Sequence, residues 1–406
     1  MFCMSAPIRL AIVGGRRGGS FNTALQALRD LIELTAVCDI DEGVREKWKS
    51  ERPGVKAFAR YEDVLNEQSV DAVLLATPMM LHARQAIEAL NAGKHVLSEV
   101  IAATSIADCW DLVEAVESTG LTYMMAENYC YRRETMMIRN MADHGVFGEM
   151  TFAEGAYIHD CRHLLFHEDG SRTWRGKAAE GLQISRSNGY PTHSLGPVSQ
   201  WLGINRDDRL VRTSTYVTQS ASRHGYAVAL FGEGHPEASP HAWEDATDSA
   251  STLIETAKGQ VISLRKDSAS PRPHNMVHYG LQGNAGAFMS ARHDGEEPLV
   301  WIEGVSPGSN LPGSEILPEW QSLWEFADEW EHPRWKARGD EARASGHGGG
   351  DFFVLEDFAR AVLGEQPSPI DVYDAVTWSS ITPLSAESVA SNGAAIEVPD
   401  FRPGRR

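Results

Sequence analysis

Cysteine is scarce in this sequence, and its spacing does not suit a framework of bridges. The five cysteines among 406 residues are odd in number and form no Cys-x-x-Cys pair. Most of them lie inside apolar segments, as is typical of reduced thiols in a cytosol. We therefore expect neither a disulfide framework nor a zinc site, and no other metal.

Basic residues are outnumbered by acidic residues, and long apolar runs are lacking. The 37 Lys and Arg residues are outnumbered by 56 Asp and Glu residues, and the net charge of −19 repels nucleic acid and anionic lipid. Apolar runs fall short of the roughly 20 residues of a membrane span, and the leader MFCMSAP has no apolar core. Nucleic acid and membranes are not expected as partners, and a cytoplasmic location is.

The chain is long enough for two domains, because single cores stop growing near ~250 to 300 residues. Residues 1–145 alternate short apolar runs such as IRLAIV with helical patterns, which is typical of a parallel, doubly wound sheet. From residue 146 to 406, alternating segments such as RLVRTSTYVTQ favour an α+β domain with an open, mostly antiparallel sheet. We predict an α/β fold of these two domains, with helices near the C-terminus that could pack back on the first.

Helix signals are clear at two places. Ser105 and Asp108 form a capping-box pattern before WDLVEAVES, which stops at Gly120. Residues 303–350 are irregular and rich in Pro, Gly and Trp, and a helix is predicted over Asp351 to Leu363.

The segment GGRRGGSF, Gly14 to Phe21, follows the first predicted strand and leads into a helix. Glycines there allow a backbone to approach a pyrophosphate at the start of a helix. The spacing is imperfect, because Gly19 supplies the third glycine of a GxGxxG pattern while Arg16 occupies the second position. The motif alone predicts a structural turn as readily as a binding loop.

Asp39 strengthens the prediction of a binding loop. It ends the next strand run, 25 positions after Gly14, where a carboxylate accepts a hydrogen bond from an adenosine ribose 2′-hydroxyl. A 2′-phosphate at ~4 Å would meet that carboxylate at a cost of about 1 to 4 kcal/mol. NAD is therefore favoured over NADP. Asp41 is an alternative partner beyond the strand, and a plain loop carboxylate is the structural alternative for Asp39.

Together, VGGRRGG, AVCD, ATPMMLHARQAIEALNAGKHVLSE and DVYDAVTWSSITPLSAESV resemble the glucose-fructose oxidoreductase / inositol dehydrogenase / MocA superfamily. The resemblance implies a Rossmann domain, an open-sheet substrate domain, NAD and a homo-oligomer, either a dimer or a tetramer. The residues that it implies for cofactor binding are Gly14, Arg16, Arg17, Gly19, Asp39, Thr77, Pro78, His82, Glu99 and Asn128.

One position departs from the sugar dehydrogenases of that superfamily. Their corresponding stretch ends Glu-Lys-Pro, and the lysine helps to move the proton of the hydroxyl being oxidised. Here the stretch is Glu99-Val100-Ile101, and an aliphatic side chain cannot carry a proton. The NAD-dependent glycosidases of the superfamily, which are similar to α-N-acetylgalactosaminidases, tolerate this change, and MMAENYCY, GVFGEMTFAEGAYIHD, GYPTHSLGPVSQWL and GHGGGDF resemble them.

The resemblance to these glycosidases implies oxidation of the sugar at C3, loss of the C2 proton, elimination of the aglycone, addition of water and re-reduction. Such a cycle needs proton acceptors and hydrogen-bond donors. His193 in YPTH is the expected base at hydride transfer, and Tyr190 is its expected partner; packing near a Gly-Pro turn is the alternative for His193. Tyr157 and His159 alternate on one strand, so both could line the sugar site with Glu99, or Tyr157 could simply pack across strands.

The substrate region combines several cations with an aromatic side chain. Residues 160–186 contain Arg162, Arg172, Arg175, Lys177 and Arg186 against Asp160, Glu168, Asp169 and Glu180, a balance of +1 (five minus four). An anionic sugar, sulfonated or carboxylated, is one interpretation of this charge balance, and a solvated loop surface is the other. The resemblance to the glycosidases implies an N-acetylated sugar as an alternative substrate. The expected substrate residues are Arg162, Trp174, Arg175, Lys177 and His274, the last in place of a tyrosine of the relatives. His347 and Asp351 are expected to be structural.

Three functions remain open at this point. An NAD-dependent glycoside hydrolase is favoured over an NAD-dependent sugar dehydrogenase that uses His193 in place of lysine. A catalytically idle NAD-binding sensor is the third. A dehydrogenase accumulates NADH in step with product, whereas a glycosidase does not, so the stoichiometry separates them.

Overall fold

The computed structural model describes residues 6–177, 185–273, 276–293, 295–402 and 404. The chain divides into two compact units. Unit 1 comprises Met1–Arg133, His332–Ser379 and Phe401–Arg406, and unit 2 comprises Glu134–Glu331 and Ser380–Asp400.

Unit 1 contains a parallel sheet of buried, branched aliphatic strands. The strands are β1 Ile8–Val13, β2 Ile32–Cys38, β3 Lys56–Phe58, β4 Ala72–Leu75, β5 His95–Ser98 and β6 Tyr123–Met125. Their order is β3-β2-β1-β4-β5-β6, and every neighbouring pair is parallel. The order reverses between β1 and β4, which is the switch point where doubly wound sheets bind ligands. The predicted fold class is confirmed here.

Helices connect these strands. They are α1 Gly15–Gly18, α2 Asn22–Ala27, α3 Glu42–Glu51, α4 Tyr61–Leu65, α5 His82–Asn91 and α6 Ile106–Thr119. The predicted cap of α6 is present, because the Ser105 hydroxyl accepts a hydrogen bond from Asp108 N at 3.1 Å. The helix ends at Gly120, whose φ of 65° suits a residue without a Cβ.

Unit 2 is built on a larger sheet with few helices. Its helices are α7 Arg133–Asp143, α8 Trp174–Lys177, α9 Thr192–Trp201, α10 Ala221–Phe231 and α11 Ala327–Trp330. Its strands are β7 Met150–Ile158, β8 Leu210–Val217, β9 Ser249–Thr256, β10 Val261–Asp267, β11 Met276–Gly283, β12 Gly286–Met289, β13 Leu299–Ile302, β14 Gln321–Ser322 and β15 Ile396–Glu397.

This sheet has nine strands in the order β14-β13-β12-β11-β7-β10-β9-β8-β15. Only β7 and β10 pair in parallel among these strands; the other pairs are antiparallel. Helix α9 packs on one face, so closely that a Cβ on Gly155 would lie 2.3 Å from the carbonyl oxygen of Ser194. That face therefore carries every second residue of β7, including Tyr157.

Three helices follow in the C-terminal region: α12 Pro333–Arg343, α13 Gly350–Val362 and α14 Val372–Ala390. Helix α13, predicted over 351–363, is buried along most of its length and packs against α2 within unit 1. No helix in the described part of the chain combines the length and the apolar character needed to cross a membrane.

Candidate functional site

The candidate nucleotide site lies at the carboxyl edge of the unit 1 sheet. Gly14 follows β1, Asp39 follows β2, and Thr77, Glu99 and Asn128 lie just beyond β4, β5 and β6. Because all the strands are parallel, these positions share one edge of the sheet. The fold thus brings together residues that are up to 114 positions apart in the sequence (128 minus 14).

Close approach of backbones explains two glycines of the loop. Gly14 has a φ of 92°, and a Cβ there would lie 2.4 Å from the carbonyl oxygen of Ala76. A Cβ on Gly18 would lie 2.3 Å from Cγ2 of Ile12, so Gly18 sets the distance between helix and strand. Gly19 was expected to supply the third glycine of the motif, but a Cβ there would meet nothing closer than Trp48 at 3.9 Å. The packing glycine is therefore Gly18.

Asp39 holds the start of the glycine loop. Its carboxylate accepts hydrogen bonds from the backbone N–H groups of Arg16 at 3.2 Å and Asp41 at 2.9 Å. The exposed Arg16 side chain turns to Asp41, with Nη2 2.7 Å from Oδ2. Asp41 also caps α3 through Val44 N, and that hydrogen bond is the main reason for the lowered pKa of its carboxyl group. The second position of the glycine motif is therefore occupied by a cation that forms an ion pair.

The carboxylate of Glu99 is paired with an arginine of the glycine loop. Nη2 of Arg17 lies 2.6 Å from Oε1 of Glu99, whose side chain is only 7% exposed. Arg17 also donates a hydrogen bond to the hydroxyl of Ser20 at 3.2 Å. The next residue, Val100, is buried, and the Val100–Ile101 peptide bond is cis. Glu99 is thus tied to the glycine loop.

His82 connects loops inside unit 1. Its Nε2 lies 2.8 Å from the carbonyl oxygen of Thr77, and its Nδ1 lies 2.8 Å from that of Ile101. Burial lowers the pKa of this imidazole. Thr77 itself donates to Oε1 of Gln85, and Pro78 precedes a short helical turn. The ring of His82 is enclosed and occupied at both nitrogens, so it positions the loop that contains Thr77.

Asp351 lies at the centre of a buried polar cluster in unit 1. Nδ2 of Asn128 donates to its Oδ1 at 2.9 Å, and Nδ1 of His347 lies 2.9 Å from its Oδ2. Glycines make room for this arrangement, since a Cβ on Gly346 would lie 2.3 Å from Asp351 Oδ2 and one on Gly350 would lie 2.2 Å from Asn128 O. His347 adopts a φ of 53° and keeps its side chain 30% exposed. The buried carboxylate of Asp351 thus fixes the orientation of the His347 ring.

The described residues of unit 1 fit NAD. Gly14 lets the loop after β1 approach Ala76 closely, and the carboxylate of Asp39 follows β2, where a ribose hydroxyl would be bound. Asn128, Thr77 and Glu99 end neighbouring strands on the side where a nicotinamide extends in such folds. These residues could hold the dinucleotide without a metal.

Four rings cluster in unit 2. Tyr157 and His159 stack with their centroids 4.0 Å apart, and the ring of His193 lies 5.0 Å from that of Tyr157. Tyr190 lies 5.1 Å from His193 and 5.4 Å from Tyr157. The structure therefore brings together the two imidazoles and two phenols that the sequence predicts at the sugar site.

The helix start at Thr192 positions His193. The sequence predicts a turn at YPTH, but His193 lies in the first turn of α9, which is buried along its whole length. Pro191 precedes that turn with a helical φ of −78°, so the proline favours the start of the helix. The carbonyl oxygen of His193 accepts a hydrogen bond from the Tyr279 hydroxyl at 2.5 Å, and Gly155 allows the close contact with Ser194.

The predicted substrate residues are in different situations. Arg162 forms two hydrogen bonds of 2.8 Å with Asp160, and its guanidinium lies 5.1 Å from the centroid of Tyr226. Arg162 is therefore paired with a carboxylate of the protein itself. The guanidinium of Arg175 instead lies 4.3 Å from the centroid of the Trp174 ring. Lys177 is exposed at the end of α8. His274 lies outside the described residues.

One residue near the ring cluster escaped prediction from the sequence. Lys266 of β10 is aligned with Tyr157 of β7 in the parallel pair, so both side chains project from the same face. The two positions are 109 residues apart (266 minus 157), and nothing in the local pattern around Lys266 reveals that alignment. Only the strand register could have revealed it.

Two family profiles cover most of the chain. The profile described as an oxidoreductase family with an NAD-binding Rossmann fold matches residues 8–127. The profile described as glycosyl hydrolase 109, C-terminal domain, matches residues 131–406.

Similar proteins of known structure share the fold. A levoglucosan dehydrogenase, in complex with NADH and L-sorbose, has a TM-score of 0.74 at 17% identity and covers 98% of this chain and 100% of its own. An oxidoreductase domain protein from Kribbella flavida has a TM-score of 0.72 at 16% identity, covering 97% and 100%. At these identities the likeness concerns the fold alone.

Sequence relatives are considerably more similar. A glycosyl hydrolase family 109 protein from Stenotrophomonas maltophilia is 34% identical over 98% of this chain and 89% of its own length. An α-N-acetylgalactosaminidase from Tannerella forsythia is 33% identical over 92% of this chain and 81% of its own. With its profile matches and this coverage, the chain belongs to glycosyl hydrolase family 109.

Proposed function

We propose that this member of family 109 is an NAD-dependent glycoside hydrolase that cleaves its substrate through a transient ketone at C3 of the sugar. Membership of the family supports the hydrolase activity, and the NAD-binding Rossmann profile supports the cofactor. When bound, NAD accepts a hydride from the sugar and returns it after cleavage. An N-acetylated sugar is one candidate substrate, as the name of the Tannerella relative indicates for that protein, and an anionic sugar is the other.

The observation that carries this proposal is the ring cluster of unit 2. The ring of Tyr157 lies at centroid distances of 4.0 to 5.4 Å from those of His159, His193 and Tyr190. A reaction that removes a proton from the 3-hydroxyl and another from C2 needs more than one group able to accept or donate protons. If these four residues served only for packing, aliphatic side chains would fill the same space equally well.

Each residue of the cluster has a role in this proposal. His193 accepts the proton of the 3-hydroxyl, and Tyr190 donates a hydrogen bond to the same oxygen. His159 accepts the proton of C2, and Tyr157, which stacks on it on β7, donates a hydrogen bond to the oxygen that carries negative charge once C2 has lost its proton. Preorganised donors are effective there because they need no rearrangement during the reaction.

His347 has the geometry of an oriented acid or base. A carboxylate such as that of Asp351 only accepts hydrogen bonds, so Nδ1 of His347 donates to it and Nε2 remains as the acceptor. This is how a buried carboxylate fixes the tautomer of a catalytic imidazole in other enzymes. We include His347 as a candidate proton acceptor in the cycle.

The alternative is a sugar dehydrogenase, and the residue at position 100 argues against it. A dehydrogenase of this fold would use a proton-carrying side chain where the buried Val100 stands. Both activities need NAD, but only a dehydrogenase accumulates NADH.

The deciding experiment follows NADH absorbance and nitrophenol release together on a panel of 4-nitrophenyl glycosides. We expect nitrophenol without net NADH. His193→Ala should lower turnover by at least ~10²-fold while NAD binding is retained. His241→Ala, at an exposed position, is the matched control. Equimolar NADH and product, or full activity in His193→Ala, would contradict the proposal.

Location and assembly belong to the same proposal. We expect a cytoplasmic enzyme that works as a homo-oligomer. Among the described residues, Cys38, Cys109, Cys130 and Cys161 are free thiols, as suits a reducing compartment. Light scattering would give the number of subunits.

A further inference from the structure

A lysine and a tyrosine adjoin on the face of the unit 2 sheet that carries the ring cluster. Lys266 and Tyr157 are aligned partners in β10 and β7, and Gly155 of the same face contacts α9 at Ser194. His193 lies in the first turn of that helix. Lys266 is thus the cation that the strand register places beside the proposed sugar-binding rings.

Lys266 is half-buried, and its ammonium, which keeps some contact with solvent, has no hydrogen bond or ion pair with any residue that the structure describes. Burial, with a smaller contribution from the charge of Arg223, lowers the pKa of Lys266 to about 8. An ammonium that a bound sugar shields from water without supplying an anion is unfavourable. A ligand that brings a negative charge would remove that penalty.

The carboxylates around Lys266 already have other partners. Asp248 forms an ion pair of 3.0 Å with Arg223 and accepts a hydrogen bond from Ser222 N. Asp267, adjacent in sequence and therefore directed to the opposite face of the sheet, accepts hydrogen bonds from Ala269 N and Ser270 N. Neither carboxylate is hydrogen-bonded to Lys266.

Two further cations, Arg175 and Arg272, lie at the same end of the unit 2 sheet as Lys266. Burial raises the pKa of the Cys161 thiol, whereas the positive charges of Lys266 and Arg175 lower it. Both cations therefore lie near Cys161. In the described residues Arg175 has no carboxylate partner and stacks on Trp174. Arg272, in the segment between β10 and β11, has a buried Nε without an acceptor among the described residues. The local excess of positive charge stands in a chain with a net charge of −19.

We propose that Lys266 is the anion-recognising residue of the sugar site, and that the substrate is a glycoside whose sugar bears an anionic substituent such as a carboxylate or a sulfonate. This rests on the proposed function for the position of the sugar. The ammonium forms a charge-assisted hydrogen bond with the substituent, and Arg175 and Arg272 add to the attraction. A neutral sugar would leave the ammonium buried without an anion.

The test compares 4-nitrophenyl hexosides, in both anomers, with their C6-carboxylate and C6-sulfonate analogues, using the NAD-loaded enzyme. We expect kcat/KM for one of the anionic glycosides to exceed that for the neutral hexoside by at least about tenfold. Lys266→Gln should lower kcat/KM for the anionic glycoside by at least about tenfold more than kcat/KM for the neutral hexoside, whereas Lys266→Arg should retain the preference for the anionic glycoside. A general structural role would lower both rates together.

Lys258→Gln is the matched control, because Lys258 is an exposed lysine of the same unit and pairs with Asp207. Thermal unfolding shows whether each variant is folded. The wild-type preference needs no variant, so equal or better cleavage of neutral glycosides overturns the proposal even if Lys266→Gln fails to fold. An equal loss on both substrate types in Lys266→Gln overturns it too.

Failure of the proposed function would look different, since the wild type would then cleave no glycoside. In that event calorimetry of the NAD-loaded protein with free hexuronate and free hexose tests the anion site alone. Binding of the hexuronate that is lost in Lys266→Gln supports the site. Equal binding of the two sugars, or binding of neither, overturns it.

Discussion

The guanidinium of Arg17 lies 2.6 Å from the buried carboxylate of Glu99. This ion pair joins the glycine loop after β1 to the residue that follows β5. It explains how Glu99 is held in a chain that has Val100 where sugar dehydrogenases of the superfamily have lysine. The cation that pairs with the Glu99 carboxylate is therefore Arg17 of the glycine loop.

We expect Glu99→Ala to weaken NAD binding by about tenfold or more. Loss of the carboxylate removes the ion pair of Arg17 and thereby loosens the loop proposed to hold the pyrophosphate. Arg17 is 41% exposed, so the effect should be smaller than the ~3 to 5 kcal/mol of breaking a fully buried pair. Fluorescence titration with NAD measures it, and Glu46→Ala, at an exposed pair, is the control. Unchanged affinity would show that the pair does not support the cofactor loop.

Asp39 should determine the choice of cofactor. We expect NAD to bind at least tenfold more tightly than NADP, because a 2′-phosphate would approach an unneutralised carboxylate, and ~1.4 kcal/mol already gives a factor of ten. Asp39→Asn should narrow the difference, with dissociation constants measured for both dinucleotides. If Asp41→Asn narrows it instead, the ribose contact belongs to Asp41, which here pairs with Arg16.

The sequence predicts those features that depend on local pattern. The strand IRLAIV, the cap at Ser105 and the carboxylate at the end of β2 are each readable within a few residues, and the structure contains all three. Packing distances are not readable in this way. Gly18 and Gly19 are adjacent and chemically identical, and only the proximity of Ile12 shows that Gly18 needs to be glycine.

Long-range alignment accounts for most of what the sequence could not predict. Lys266 becomes a neighbour of Tyr157 only through the register of β7 with β10. His347 becomes notable only because the carboxylate of Asp351 and the amide of Asn128 lie beside it in the fold. The helical start at Thr192 was also missed, because Gly189 and Pro191 are typical turn residues as well.

His347 should contribute to turnover rather than to cofactor binding. Its Nδ1 is fixed by Asp351, so we expect His347→Asn to lower kcat on 4-nitrophenyl glycosides by ~10² or more, with NAD affinity nearly unchanged. Asp351→Asn should also lower kcat, since an amide can stabilise the other tautomer of the ring. His144→Asn, at an exposed histidine, is the control. Normal turnover in both variants would return His347 to a structural role.

Lys266 should make stability depend on pH in the alkaline range. Its pKa is about 8 in the folded chain against the ordinary 10.5, so between these values the unfolded chain binds the proton more strongly. Folding stability from this group therefore rises with pH from about 8 to 10.5. Lys266→Met should be more stable than the wild type at pH 7, by about 1 to 3 kcal/mol, and the advantage should shrink by pH 10. Urea unfolding at both pH values measures this. An advantage that does not change with pH would contradict it.

The position of Val100 gives a last prediction about the cycle itself. If cleavage passes through a ketone at C3, the C2 proton is removed in mid-cycle, so a glycoside deuterated at C2 should exchange its label with water during cleavage. NAD should then serve many turnovers without net NADH, because the hydride that leaves C3 returns to it. A site with this internal redox step needs no lysine for one-way oxidation, and the buried aliphatic side chain at position 100 is compatible with it. We accordingly expect Val100→Lys not to improve glycoside cleavage, with Val116→Lys on α6 as a control for adding a lysine elsewhere in unit 1. Mass spectrometry of the released sugar decides the point: a retained C2 label, together with one NADH for each product, would place the enzyme among the dehydrogenases of its fold.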